Sequence, residues 1–184
     1  ATFNAECTCK ANEKTGSGWC TDCKHGICFG VQVNNEPLYK ALAGTKVDVK
    51  ALKCDGCKAV AEKGGTCDKC HLNYANGMSY GSFVSGSLAC GKMTDPATIK
   101  CDACKGAAEG KSEGSYCDHC KAGFVGHYAF ATKVAYDAAK SAMKVLANAA
   151  KTCATCPTCA NAMVTNGACD KCKATYKNGE KVKV

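Results

Sequence analysis

The amino-acid sequence predicts a small α+β protein built from metal-stabilised tandem repeats. Cysteine makes up 19 of the 184 residues, and most of these cysteines fall in Cys-x-x-Cys pairs that recur along the chain. Large apolar side chains are scarce, because Leu, Ile, Val and Phe together number only 25. A chain this poor in them needs cross-links or metal ions to offset the conformational entropy of folding.

The cysteine pairs recur with a period close to 50 residues. The first cysteine of each second pair lies at positions 20, 67, 117 and 169, so the repeats are 47 to 52 residues long. A period of this size indicates a repeated supersecondary unit. We therefore predict four modules, with a degenerate first cysteine pair in the first of them: 1–53, 54–100, 101–152 and 153–184.

The segments between the cysteine sets predict short strands and some helices. Partial alternation predicts one strand over Ile27–Val33 and another over Met78–Val84. Asn35 as a cap, Pro37 in the first turn and Gly44 as a stop predict a short helix. The corresponding stretch of the second connector is rich in Ser and Gly, which disfavours a helix there.

The third connector predicts one long amphipathic helix over about 132–151. Apolar residues recur at steps of three and four, with lysines and Asp137 on the opposite side. The predicted apolar side consists of Val134, Ala138, Ala142, Val145, Leu146 and Ala149. At the end of the chain, Asn178-Gly179 is typical of a tight turn and predicts a terminal hairpin.

Sixteen of the cysteines form four sets, each able to supply a tetrahedral metal ion such as zinc with four thiolates. We expect about four zinc ions per chain, and iron is the alternative, since four thiolates accept both metals. The candidate ligands are Cys7, Cys9, Cys20, Cys23; Cys54, Cys57, Cys67, Cys70; Cys101, Cys104, Cys117, Cys120; Cys156, Cys159, Cys169 and Cys172.

Except in the first set, the pattern Cys-x2-Cys-x9–12-Cys-x2-Cys resembles the zinc-ribbon family. The resemblance covers about 75 residues, and it implies that each pair sits on a hairpin turn facing one ion. Ribbons often carry Gly after the second cysteine, where this chain mostly has Lys. The Asp residues inside the pairs suggest Asx-turns that shape these turns: Asp55, Asp68, Asp102, Asp118 and Asp170.

Other uses of the cysteines stay open at this point. Cys20/Cys23 with Cys54/Cys57 has a gap of 30 residues, which is close to the spacing of rubredoxin-like iron sites. Cys67-Asp-Lys-Cys70-His71 matches the attachment motif for c-type haem, with His25, His119 or His127 as distal candidates. The surplus cysteines allow a Cys28–Cys90 disulfide and three thiols, Cys153, Cys156 and Cys159, for two ligand places.

The net charge of +8 does not by itself indicate nucleic-acid binding. All 24 basic residues are Lys, so the bidentate fork that Arg offers to phosphate and guanine is absent. Sixteen thiolates around four divalent ions would carry a net charge of −8, which brings the metal-loaded protein near zero. Lys follows the second cysteine in six of the eight pairs, with His71 and Ala160 as the exceptions: Lys10, Lys24, Lys58, Lys105, Lys121 and Lys173.

No apolar run is long enough to cross a membrane, and no catalytic set or phosphate loop stands out. The sequence therefore favours a non-enzymatic structural or assembly protein that associates with itself. Metal storage and electron transfer by iron–thiolate or haem are the alternatives. The start at Ala-Thr-Phe is typical of a mature end left by signal-peptide cleavage, which predicts a periplasmic or extracellular location.

Overall fold

The computed structural model describes residues 9–109 and 115–182, without the side chains of residues 9 and 10. The described part contains seven α-helices and fourteen short β-strands. The helices are α1 Cys9–Thr15, α2 Glu36–Leu42, α3 Asp55–Ala61, α4 Phe83–Ala89, α5 Asp102–Ala108, α6 Lys133–Thr152 and α7 Pro157–Thr165. None of them is long and apolar enough to span a lipid bilayer.

The strands form four small antiparallel sheets, one for each predicted repeat. The first has the order β1 Ser17–Cys20, β2 His25–Cys28, β3 Val31–Val33. The second has β4 Thr45–Lys46, β7 Met78–Tyr80, β6 Asn73–Ala75, β5 Gly65–Thr66. The third has β8 Lys92–Met93, β11 Tyr128–Phe130, β10 Ala122–Val125, β9 Ser115–Cys117. The fourth has β12 Ala168–Cys169, β13 Ala174–Lys177, β14 Glu180–Val182.

One plan recurs through these sheets: a short helix, a strand that ends at the second cysteine pair, and a hairpin that returns from it. Strands β4 and β8 precede the first cysteine of their repeats and join the following sheet by pairing with β7 and β11. Each is followed by a 3-10 turn, and Asp48 or Asp95 accepts a backbone hydrogen bond in it. The boundaries of the four modules stay a prediction.

The two strands predicted in the first connectors are wrong in detail. The stretch 27–33 bends at Phe29, whose φ is +50°, and Gly30, so it forms parts of two paired strands. The stretch 78–84 ends as a strand at Tyr80 and continues into α4. Alternation alone does not show a turn of two residues, and here the turn residues include Phe29, which is an unusual residue at positive φ.

The connector helices follow their caps. The Asn35 side chain accepts the Leu38 N–H at 3.0 Å and begins α2, as predicted. The doubt about a helix in the second connector was wrong, because Ser82 caps α4 by accepting the Ser85 N–H. The predicted terminal hairpin is present, with Asn178 and Gly179 both at positive φ between β13 and β14.

The long helix α6 buries a different side from the one that the sequence indicated. Its buried residues are Tyr136, Ala139, Ala142, Leu146 and Ala149, whereas Val134 and Ala138 are exposed. Tyr136 lies against β10, where a Cβ on Gly123 would overlap the tyrosine ring. The buried side is therefore set by the strand and helices that pack on α6, and a tyrosine that reads as neutral in the sequence becomes part of it.

Residues from all four sheets and their helices share one apolar core. It contains Leu38 and Leu42 of α2, Val84 and Leu88 of α4, and Leu146 of α6. Ala160 and Val164 of α7 complete it. The composition suggested that apolar burial would be too weak to organise the chain. The structure corrects this expectation, because alanines let the helices pack closely around a few large side chains.

Two fully buried serines connect the core helices. The Ser82 hydroxyl donates to the Val164 carbonyl of α7 at 2.8 Å, and the Ser85 hydroxyl donates to the Leu42 carbonyl of α2 at 2.7 Å. A buried hydroxyl must find a partner because leaving it without one costs on the order of 1–3 kcal/mol. These bonds fix the positions of α2 and α7 relative to α4.

Candidate metal centres

Twelve of the predicted ligands come together as three tetrads. Within each tetrad the four sulfur atoms lie within 4.8 Å of one another. The tetrads, which fit zinc-ribbon-like modules, are Cys54/Cys57/Cys67/Cys70, Cys101/Cys104/Cys117/Cys120 and Cys156/Cys159/Cys169/Cys172. We call them the second, third and fourth centres, after their repeats.

The sulfur spacing fits one tetrahedral ion. Four thiolates at about 2.3 Å from a zinc ion are about 3.8 Å from each other. The Cys54 and Cys67 sulfurs are 3.8 Å apart. In the fourth centre, the Cys156 sulfur is 3.8 Å from that of Cys169 and 3.7 Å from that of Cys172. These separations are far from the roughly 2.05 Å of a disulfide bond.

Each centre is built from two different local structures, and this differs from the two hairpin turns that the resemblance implied. The first pair opens a helix: Cys54, Cys101 and Cys156 occupy the N-cap positions of α3, α5 and α7. The second pair lies in the turn between two strands. Helix signals were present in the sequence, because Asp55, Asp102 and Pro157 are favoured in the first turn of a helix.

The helix start favours a thiolate at its first cysteine. The backbone N–H of Cys57 faces the Cys54 sulfur and lowers the pKa of that thiol to about 7, although the contact is too loose to count as a helix cap. The backbone N–H of Cys159 does the same for Cys156. In the third centre, the thiol with a pKa of about 7 is Cys117, through the N–H of Cys120. Each tetrad therefore has one thiol that ionises readily, and a bound divalent ion would favour ionisation of the other three.

The hairpin-turn pair has one geometry throughout. The residue after its second cysteine has a φ of +50° to +54° in all four repeats: Lys24, His71, Lys121 and Lys173. The turn also brings the second cysteine's N–H to the first sulfur, as from Cys120 to Cys117 at 3.5 Å and from Cys172 to Cys169 at 3.4 Å. These sulfur bonds replace the predicted Asx-turns, because Asp68, Asp118 and Asp170 accept no such bond.

The two kinds of cysteine pair predict opposite effects of the same substitution. Lys121→Gly should stabilise the protein by about 0.5–1 kcal/mol, because an L side chain is strained at positive φ and glycine is not. The matched control is Lys58→Gly, at the same sequence position after the helix pair, which should cost about 1 kcal/mol because Lys58 is helical. Urea denaturation of both metal-loaded variants measures this. A stabilising Lys58→Gly would contradict the assignment.

Each centre is closed on one side and open on the other. In all three, the first ligand is half-buried, the next two are buried and the last is exposed. Small apolar clusters surround the second and third centres, with Val60 and Leu72 at one and Ile99 and Phe124 at the other. Four sulfurs complete a tetrahedral coordination sphere, so the arrangement offers no ligand place for a substrate or water.

The first predicted tetrad is not among the three. Cys7 lies outside the described residues, and so does the side chain of Cys9. Cys20 and Cys23 lie on a hairpin turn of the same kind, with the Cys23 N–H 3.4 Å from the Cys20 sulfur. The described part of the chain therefore has three tetrads where four were predicted.

The surplus cysteines are not ligands of the three tetrads. Cys28 is buried in the apolar core, and burial raises its pKa to about 12. Cys90 is exposed, and the open Cys28–Cys90 disulfide is absent. Cys153 is buried after the end of α6. It leaves Cys156 and Cys159 to the fourth centre, which decides the three-for-two ambiguity.

The structure also decides between the alternative cysteine groupings. Cys67 and Cys70 join Cys54 and Cys57, so neither the long-gap grouping with Cys101 and Cys104 nor a haem attachment is formed. His71 is the exposed residue at positive φ after the hairpin-turn pair. The short-gap grouping that we preferred is the one observed.

Comparisons with known proteins leave the geometry to carry the assignment. No protein-family model, no curated protein and no solved structure matches the chain.

Proposed function

We propose that this is a non-enzymatic zinc protein whose four-thiolate centres hold its modules in shape. The supporting observation is the sulfur spacing of 3.7–3.8 Å in the second and fourth centres, which suits one tetrahedral ion. Zinc at a structural site contributes on the order of 10–16 kcal/mol of apparent binding free energy near neutral pH. This is enough to fold ribbons whose own apolar clusters are small.

The proposal includes a fourth centre in the first repeat. Cys20 and Cys23 lie on a turn like the other three, and α1 begins at Cys9, which aligns with the second cysteine of each helix pair. Cys7 would then take the place of Cys54, one residue closer to its partner than in the other repeats. On this proposal the chain binds four ions.

The test is the metal content of the purified chain together with its visible spectrum. We expect four zinc ions per chain and no absorption above the protein band. Three ions would remove the fourth centre from the proposal, and a chain that neither contains nor binds zinc would overturn it. Iron would give a coloured protein and favour the electron-carrier alternative, which iron–thiolate centres of this geometry also suit.

The rate of metal exchange separates the structural role from storage. Two sulfurs of each tetrad are buried, so a structural centre should lose zinc slowly to a chelator. Exchange of all the ions within seconds would favour a storage or buffering protein.

Export and self-association are parts of the same proposal. The exposed Val134 and Ala138 of α6 suit an assembly face, because Val134 is 80% exposed and lies beside a shallow groove with Ala138, Gly86 and Cys90. Sedimentation of the zinc-loaded chain at increasing concentration tests association, and Val134→Lys should weaken it. A monomer at all concentrations would remove this part.

A further inference from the structure

One position next to the metal centres differs between the modules. It lies seven residues after the first cysteine of each hairpin-turn pair, on the strand that returns from the turn. Its partner across the sheet lies two residues before that cysteine in every repeat, as with Tyr74 opposite Gly65 and Phe124 opposite Ser115. The four residues at this position are Ile27, Tyr74, Phe124 and Tyr176.

The side chain at this position packs on metal ligands. Tyr74 belongs to the buried cluster that contains Cys57 and Cys67. Phe124 belongs to the corresponding cluster with Cys104 and Cys117. The pairing register therefore delivers the same ring position to each of these two centres, and the difference is the hydroxyl group.

In the second and fourth centres the hydroxyl reaches a sulfur. Tyr74 hydrogen-bonds the Cys57 sulfur, and burial together with this bond raises the pKa of the tyrosine. Tyr176 hydrogen-bonds the Cys159 sulfur, and this bond together with burial raises the pKa of Tyr176 to about 12. Phe124 has no hydroxyl, so Cys104 receives no such bond in the third centre.

A second difference lies inside the hairpin-turn pair. The second and fourth centres have Cys-Asp-Lys-Cys, with Lys69 and Lys171, whereas the third has Cys-Asp-His-Cys. His119 is exposed, and its Nδ1 is 3.8 Å from the Cys120 sulfur. An ammonium group beside the thiolates is thus replaced by an imidazole, and the third centre lacks both groups that draw charge from sulfur in the other two.

Access to the three centres is alike. Each has one half-buried, two buried and one exposed sulfur in the same order. A reagent that attacks sulfur therefore meets the same exposed ligand in each centre, Cys70, Cys120 or Cys172. A difference in rate between them must come from the charge on sulfur.

We propose that the third centre is the peroxide-reactive one, which loses its metal before the second and fourth. This inference rests on the proposed zinc binding. A thiolate that accepts fewer hydrogen bonds and lies near fewer cations keeps more charge, and it is the stronger nucleophile. The third centre is then a place where hydrogen peroxide is converted into metal release.

The chemistry is a two-electron oxidation of two ligands. A thiolate attacks one peroxide oxygen, the O–O bond breaks, and a sulfenic acid forms as hydroxide leaves. A second thiolate of the same tetrad attacks the sulfenic sulfur, the S–O bond breaks, and a disulfide forms with loss of another hydroxide. Two cysteines are oxidised, one peroxide is reduced, and the zinc ion is left with two ligands and dissociates.

The experiment treats the zinc-loaded full chain with less than one equivalent of hydrogen peroxide. A zinc indicator follows release, and peptide mass mapping after alkylation of the remaining thiols locates the disulfide. We expect the first zinc lost to coincide with a disulfide among Cys101, Cys104, Cys117 and Cys120. A disulfide that appears first in the second or fourth centre would overturn the inference.

Two variants test the cause. Phe124→Tyr supplies the missing hydroxyl and should slow oxidation of the third centre by roughly threefold to tenfold, while Tyr74→Phe should speed that of the second by a similar factor. Full zinc loading of both variants shows that packing is intact. An unchanged rate in Phe124→Tyr would overturn the inference and leave zinc binding standing, whereas a wild-type chain without zinc affinity would overturn both.

Discussion

Cys70→Ser is expected to lose one metal ion and the structure of the second ribbon. Cys70 completes the tetrad with Cys54, Cys57 and Cys67, and a serine hydroxyl is a poor zinc ligand. Since structural zinc contributes on the order of 10–16 kcal/mol of apparent binding energy, we expect the loss to destabilise this ribbon by about 5 kcal/mol or more. Elemental analysis gives the ion count, and hydrogen exchange of β5, β6 and β7 gives the local stability.

The matched control is Cys90→Ser. Cys90 is exposed like Cys70, but it is not part of a tetrad, and its thiol donates to the Gly86 carbonyl at 3.3 Å. A serine can make the same bond, so the change should stay within about 0.5 kcal/mol with no ion lost. Equal effects of the two substitutions would contradict the assignment of ligands.

Leu146→Ala is expected to have the second large effect, on the apolar core. Leu146 is fully buried at the middle of α6, among residues from α4 and α7. Leu-to-Ala changes at such sites cost about 2–5 kcal/mol, because the neighbours do not close the cavity. Urea denaturation should show this loss, while elemental analysis should show the wild-type number of bound ions.

Val134→Ala is the control on the same helix. Val134 is 80% exposed, so its truncation should change the free energy of unfolding by less than about 0.5 kcal/mol. Loss of bound metal in Leu146→Ala would show that the core and the centres do not hold the fold independently. Retention would show that the shared helical core and the ribbons are separate sources of stability.

Local signals in the sequence were sufficient for the elements that depend on neighbouring residues. Asn35 predicted the start of α2, Asn178-Gly179 predicted the last hairpin, and the short gap predicted which cysteines meet. They failed where a distant contact decides. The buried side of α6 turns on Tyr136 packing over Gly123, and nothing within α6 itself shows that contact.

The cysteine spacing by itself determined the repeats and the grouping of sulfurs, since two pairs about ten residues apart meet across one short connection. Only the tertiary structure decided that a single core of small residues joins the modules. It also decided that tyrosine faces two centres and phenylalanine a third. The physical reason is that the position of a ligand follows from the chain next to it, whereas the surroundings of a ligand come from strand register and from helices far away in sequence.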